Sequence, residues 1–149
     1  LDFEALRQGL NGAIPFNRHL GLEYAEVAPG RGVVVLPDDG RLHNHVGTQH
    51  AGGLFAAGEA ASGGAFAGAF AEHMGSITPL AKSAQIAYRK LARGPITATA
   101  TLGGDPAELI GTLQSAGTVE FPVEVEMTDG EGNLVATMTV HWHVRRNPA

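Results

Sequence analysis

Asn44–Glu59, NHVGTQHAGGLFAAGE, is the stretch on which the fold turns. It opens as a polar loop and from Ala51 becomes a run of Ala, Gly and Phe that reads as one long helix ending near His73, where Gly75 and Pro79 stop it. Between Ala51 and Ala71 the only charge is Glu59. A helix apolar on all sides belongs in a core. It is a poor membrane span, because its apolar content is mostly Ala and Gly and lipid would have to take up the carboxylate.

Outward from that helix, the order of elements follows from periodicity. Toward the N-terminus, Asp38-Asp39-Gly40 breaks the chain before the HNHVGTQH loop, and GLEYAEV and GVVVLP form a hairpin about Pro29, Gly30 and Arg31. Asp2 to Ala13 is a short helix, with Phe3, Leu6 and Leu10 at spacings of three and four. Toward the C-terminus, Ile77 to Leu91 and Pro95 to Leu102 are strands around Ala92-Arg93-Gly94. Asp105 to Gln114 is a helical turn capped by Asp105, with Pro106 in its first position. Thr118 to Thr128 and Leu134 to Arg146 are half-buried antiparallel strands joined by Asp129–Asn133; Val119, Phe121, Val123, Val125 and Met127 share one face, with Glu120, Glu124 and Glu126 on the other. A sheet wrapped around the single apolar helix would bury every strand's apolar stripe, which makes this an α+β chain.

At 149 residues the chain is one domain, residues 1–149, large enough to build a core without disulfides. With 44% hydrophobic and 17% charged residues it is a folded chain rather than a disordered one. A formal charge of -5 and ten scattered basic residues give no footprint for nucleic-acid phosphates or an anionic membrane. The absence of cysteine excludes thiolate ligands and thiol nucleophiles. LDFEALRQGL lacks the basic-then-apolar order of a secretory signal, so the expected location is cytoplasmic.

Two features of the long helix carry chemistry. Phe55, Phe66 and Phe70 fall within a narrow arc, and Glu59 lies inside it, pointing inward. A carboxylate on an apolar stripe is desolvated, which raises its pKa and marks it for proton or nucleophilic work; the plain alternative is a Glu satisfied by a neighbour or at the solvent edge. The other feature is the helix start, where His50, Ala51, Gly52 and Gly53 leave small residues beside unpaired N–H groups. Such donors can polarise a carbonyl and hold the oxyanion formed on attack; Gly52 and Gly53 could instead serve close packing. Ala51 and Glu59 are separated along the axis by roughly 12 Å at 1.5 Å per residue. If both serve one reaction, they come from two subunits of a homodimer.

The spacing resembles that of the hotdog-fold acyl-CoA thioesterases, especially the phenylacetate-pathway branch, whose helix opens His-Gly-Gly with an acid nine positions after the His; His50, Ala51, Gly52 and Glu59 stand in those places. ITPLAKSAQIAYRKLARGPITATATL looks like the next two strands of that family, FPVEVEMTDGEGNLVATMTVHWHV like its last two, and DPAELIGTLQ like an insertion found in a poorly characterised branch. The resemblance implies a hotdog fold, an antiparallel sheet around a central helix, and hydrolysis of an acyl-CoA or similar thioester. It implies Glu59 as nucleophile or base, the Ala51 N–H as polariser, Asn44 as an amide near the thioester and His50 as its support. It also implies active sites at the interface of a homodimer, or of a dimer of dimers, and no cofactor or metal beyond the coenzyme A of the substrate. Two departures stand out: Ala51 replaces a glycine, and Gly63, beside Ser62, occupies a position that carries a hydroxyl in relatives.

Two other readings share the fold. His45, fourteen residues before Glu59, would suit a 3-hydroxyacyl-thioester dehydratase or hydratase, but VGTQHAGGLFAAG lacks the proline-rich signature of those enzymes. An acyl-CoA or lipid-binding protein would use the pocket without chemistry. The pairs His43/His45 and His141/His143 lack further ligands at metal spacing and read as surface or interface residues. Arg89, Lys90 and Arg93 are candidates for coenzyme A phosphates, or simply solvated strand ends. No P-loop, dinucleotide fingerprint or GxSxG elbow is present.

Overall fold

A computed structural model of the chain describes residues Leu1–Ala149. Six antiparallel strands form one sheet: β1 Glu23–Ala28, β2 Arg31–Leu36, β3 Ile77–Tyr88, β4 Ile96–Leu102, β5 Thr118–Thr128 and β6 Leu134–Arg146, in the order β1-β2-β4-β5-β6-β3. The helices are α1 Phe3–Ala13, α2 Pro15–Leu20, α3 Ala51–Ala69 and α4 Pro106–Ala116. The sheet curls around α3, which packs on the inner faces of β1, β2, β4 and β5. This is the hotdog fold. None of the helices is long and apolar enough to cross a membrane.

Alternation determines which face each strand turns inward. In β5 the buried residues are Val119, Phe121, Val123, Val125 and Met127, and in β6 Met138, Val140, Trp142 and Val144. The Ala/Gly content of α3 lets the β1–β2 hairpin press onto it. A Cβ on Gly68 would collide with the Ala28 carbonyl, and one on Gly64 would stand 3.1 Å from the Tyr24 ring. Larger residues would lift the hairpin off the helix and open voids in a close-packed core. At the far end of α3 a cluster of aromatics fills the space between helix and sheet: Phe66 lies 4.9 Å from Phe70 and 5.6 Å from Trp142, and Phe70 lies 5.5 Å from Phe121, centroid to centroid.

The structure corrects the sequence reading in five places. The long helix stops at Ala69 rather than near His73, and a 3-10 segment, Ala71–Ser76, follows it. β3 ends at Tyr88, before Leu91. The segment after Asp105 is a three-turn helix rather than a turn, with Asp105 accepting from the Glu108 N–H at 3.1 Å. A further short helix, α2, starts at Pro15 and ends where Gly21 takes φ 72°. Finally, α3 is not sheathed all round. Phe55 is 38% exposed, so the arc that holds Glu59 is buried at the Phe66 end and open at the Phe55 end.

Candidate functional site

The helix start is built from the loop before it. The Asn44 side chain holds this loop closed. Its Oδ1 accepts from the N–H groups of Val46 (3.1 Å) and Thr48 (3.0 Å), and its Nδ2 donates to Thr48 Oγ1 (2.8 Å) and the Gln49 carbonyl (3.3 Å). Buried Gln49 donates from Nε2 to the Pro37 and Gly94 carbonyls, 2.9 Å each, tying the loop to two neighbouring connections. His50 is the N-cap of α3, its Nδ1 accepting from the Gly52 N–H at 2.8 Å. The Leu54 N–H takes the first intrahelical bond, to the His50 carbonyl. The N–H groups of Ala51 and Gly53 find no acceptor in the chain. Of the first-turn donors, the one assigned to carbonyl polarisation, Ala51, is thus free, whereas that of Gly52 is taken by His50.

Glu59 is half-buried two turns on, its carboxylate without a hydrogen-bond or ion-pair partner in the chain. Burial raises its pKa above the ordinary carboxylate value. Ala51, Phe55, Glu59 and Gly63 form a stripe at four-residue spacing, and none of them is fully covered. Trp142 bounds the stripe, standing 3.9 Å from where a Gly63 Cβ would sit. Ser62, one position away, is fully buried; its hydroxyl donates to the Glu59 carbonyl (2.7 Å) and accepts from Trp142 Nε1 (3.1 Å). That hydroxyl is a packing element and offers nothing to a water beside Glu59.

The structure therefore unites His50, Ala51, Gly52 and Gly53 at the helix start and sets Glu59 and Gly63 apart along the same open stripe. Asn44 belongs to the loop's internal bonding. Arg89 donates from Nε to Thr137 Oγ1 (3.0 Å), while Lys90 and Arg93 line a cleft of ≈ 540 Å³ that they share with Asp129 and Glu131. The loop that carries Lys90 and Arg93 is bonded to the helix-start loop through the Gln49 N–H and the Ala92 carbonyl. The histidine pairs are separated by their partners: His43 bonds Asp38 at 2.7 Å and His143 bonds Glu120 at 3.0 Å. His45 is exposed in its loop and makes no bond to Glu59.

Two elements of the site escaped the sequence reading. A cleft of ≈ 290 Å³ beside the helix start is walled by Phe16, Leu20 and Leu42, with Arg41, His43 and His50 at its polar side. Pro15 in a first helical position and Gly21 after the last turn are stop and start signals that could have revealed the helix supplying Phe16 and Leu20. The other element is Tyr88, whose hydroxyl donates to the Ala51 carbonyl at 3.1 Å. No local pattern announces a contact across 37 positions.

Solved structures share this architecture. The family model described as a domain of unknown function, DUF4442, matches residues 4–144. No curated protein sequence matches the chain. Among solved structures, PA5026 of Pseudomonas aeruginosa, described as a protein of unknown function and probable thioesterase, is 27% identical at a TM-score of 0.84, over 99% of this chain and 97% of that one. AziG of S. sahachiroi is 25% identical at 0.72, over 90% and 98%. A variant of the thioesterase SAV0944 of Staphylococcus aureus shares the fold at 16% identity and a TM-score of 0.72, over 89% of this chain and 99% of that one.

Proposed function

We propose that this chain, which belongs to the DUF4442 family, is a thioesterase that hydrolyses an acyl thioester, with coenzyme A as the thiol, to the free acid. The reading is carried by one observation: an unpaired, half-buried Glu59 shares an open helical stripe with the unsatisfied Ala51 N–H. The likeness to a probable thioesterase at 27% identity supports the same class. In this mechanism the Ala51 N–H polarises the thioester carbonyl and stabilises the oxyanion. Glu59 either attacks the carbonyl carbon, so that C–S cleavage leaves a mixed anhydride that water then hydrolyses, or removes a proton from a water that attacks in its place. In both cases the C–S bond breaks and the thiolate takes up the proton that the water gives. Because α3 holds the two groups roughly 12 Å apart, the acid is supplied by a second copy of the chain, giving a homodimer with two interfacial sites. Lys90 and Arg93 suit the phosphates of coenzyme A.

Glu59→Gln tests this directly. Thiol release from a panel of acyl-CoAs is expected to fall by about 10²–10⁴-fold with the dimer intact; unchanged turnover would remove Glu59 from the mechanism. The pH dependence follows from the raised pKa. Glu59 must be ionised to act, so kcat/KM falls as pH drops through a value above the ordinary carboxylate range. The folded state binds this proton more tightly than the unfolded chain, so ionised Glu59 costs stability at neutral pH. Glu59→Gln is therefore expected to be more stable than wild type at pH 7, the gap closing as pH falls to the carboxylate's ordinary range.

A second reading, a non-catalytic acyl-CoA-binding protein, is favoured by one feature. Gly63 and the committed Ser62 leave no hydroxyl one turn from Glu59 to orient water. The same panel separates the two, since a binding protein retains acyl-CoA without liberating thiol.

A further inference from the structure

Tyr88 closes β3 with its ring on the inner face, opposite buried Ala136, yet half of its surface is open. Its hydroxyl donates to the Ala51 carbonyl. That carbonyl belongs to the same peptide unit as the Gly52 N–H, which donates to His50 Nδ1. A single peptide is thus gripped from both sides, Tyr88 O–H to C=O and N–H to imidazole. Hydrogen bonds in series polarise one another, so donation into the carbonyl strengthens the N–H as a donor. An imidazole whose Nδ1 accepts carries its hydrogen on Nε2. His50 also lines the apolar cleft of Phe16, Leu20 and Leu42 beside the free Ala51 and Gly53 donors.

We infer that Tyr88 is a positioning residue: acting through the Ala51–Gly52 peptide, it holds His50 as the Nε2–H tautomer, so that the ring presents a donor to a thioester bound at the helix start. The role in turnover rests on the thioesterase reading; the hydrogen-bond relay does not. The relay also ties the edge strand to the site, since Tyr88 at the end of β3 bonds the first residue of α3.

Tyr88→Phe removes one hydroxyl and keeps the ring. In the full-length protein, hydrogen exchange at the Gly52 amide is expected to quicken. The His50 ring nitrogens, read by ¹⁵N correlation and assigned with His50→Gln, are expected to move from a single Nε2–H pattern toward a mixture. With an acyl-CoA substrate, kcat falls roughly two- to tenfold, the worth of one neutral hydrogen bond, while KM holds. Unchanged Gly52 exchange and an unchanged His50 pattern would overturn the relay. Altered spectra with unchanged kcat would overturn its part in turnover. Spectral changes in a protein that releases no thiol would support the relay and count against the thioesterase reading instead.

Discussion

The two edges of the sheet are treated in opposite ways. At one edge, β1 is six residues long, kinked by a bulge between Tyr24 and Glu26, and covered by α1. Arg7 Nη1 donates to the Tyr24 carbonyl (2.6 Å) and Asn11 Oδ1 accepts from the Tyr24 N–H (2.7 Å), so side chains of α1 satisfy the backbone there. At the other edge, β3 runs for twelve residues, pairs only with β6, and leaves Leu80 and Tyr88 half exposed. Lys82, a residue type that commonly guards an edge, is turned back to bond Glu120 on β5 at 2.9 Å. Bare edges of that length invite pairing with another chain. The open stripe of α3 lies on the side of the bare edge, next to Tyr88, and it is there that the proposed homodimer would seat its second copy.

The strongest way to break this asymmetry is to charge the open side. Phe55→Asp puts a second carboxylate one turn from Glu59, at a position that a partner would cover. Light scattering after gel filtration is expected to show a monomer, with thiol release lower by about a hundredfold or more, because the proposed site needs groups from two chains. A dimer that persists with full turnover would place the interface elsewhere. A comparable effect, without loss of the dimer, comes from the helix start. Ala51 is the first helical residue, where proline is tolerated, so Ala51→Pro deletes the N–H and keeps the helix. The loss expected for one oxyanion donor is about 10²–10³-fold in kcat. Mixing Ala51→Pro with Glu59→Gln under exchange conditions sharpens the comparison further. A mixed dimer has one intact site, so the mixture should recover about a quarter of wild-type turnover. If a single chain supplied both groups, mixing would recover nothing.

Much of this was legible in local pattern. The bounds of β5 and β6 follow from alternation, and the start of α3 follows from small residues after a capping His50. Glu59 stands out because one carboxylate interrupts an otherwise apolar helix. What local pattern does not carry is where the sheet runs out. Whether Phe55 is covered depends on the reach of β3 and β6 around the helix, a tertiary quantity, and so the open stripe came as a correction. Asn44 illustrates the same boundary. Its place in the sequence suits an amide beside a thioester, but the geometry spends all its hydrogen bonds on Val46, Thr48 and Gln49. Tyr88 was invisible for the complementary reason, since an aromatic at a strand end looks like any other until its hydroxyl is found on Ala51.

The closed edge supplies the mildest test. Arg7→Ala and Asn11→Ala each remove one hydrogen bond to the backbone of Tyr24, and urea unfolding is expected to show a lower midpoint for each. The drop is larger for Arg7, because its donor is charged and its side chain is mostly covered. Neither residue touches the helix start or Glu59, so kcat on an acyl-CoA should stay at the wild-type level. The double variant bares the Tyr24 backbone and would leave the proposed dimer with an open end on each subunit. Sedimentation at rising concentration should then reveal assemblies larger than those of wild type. If the double variant loses stability but never grows, α1 is a brace for β1 and the asymmetry of the edges comes from the length and bareness of β3 alone.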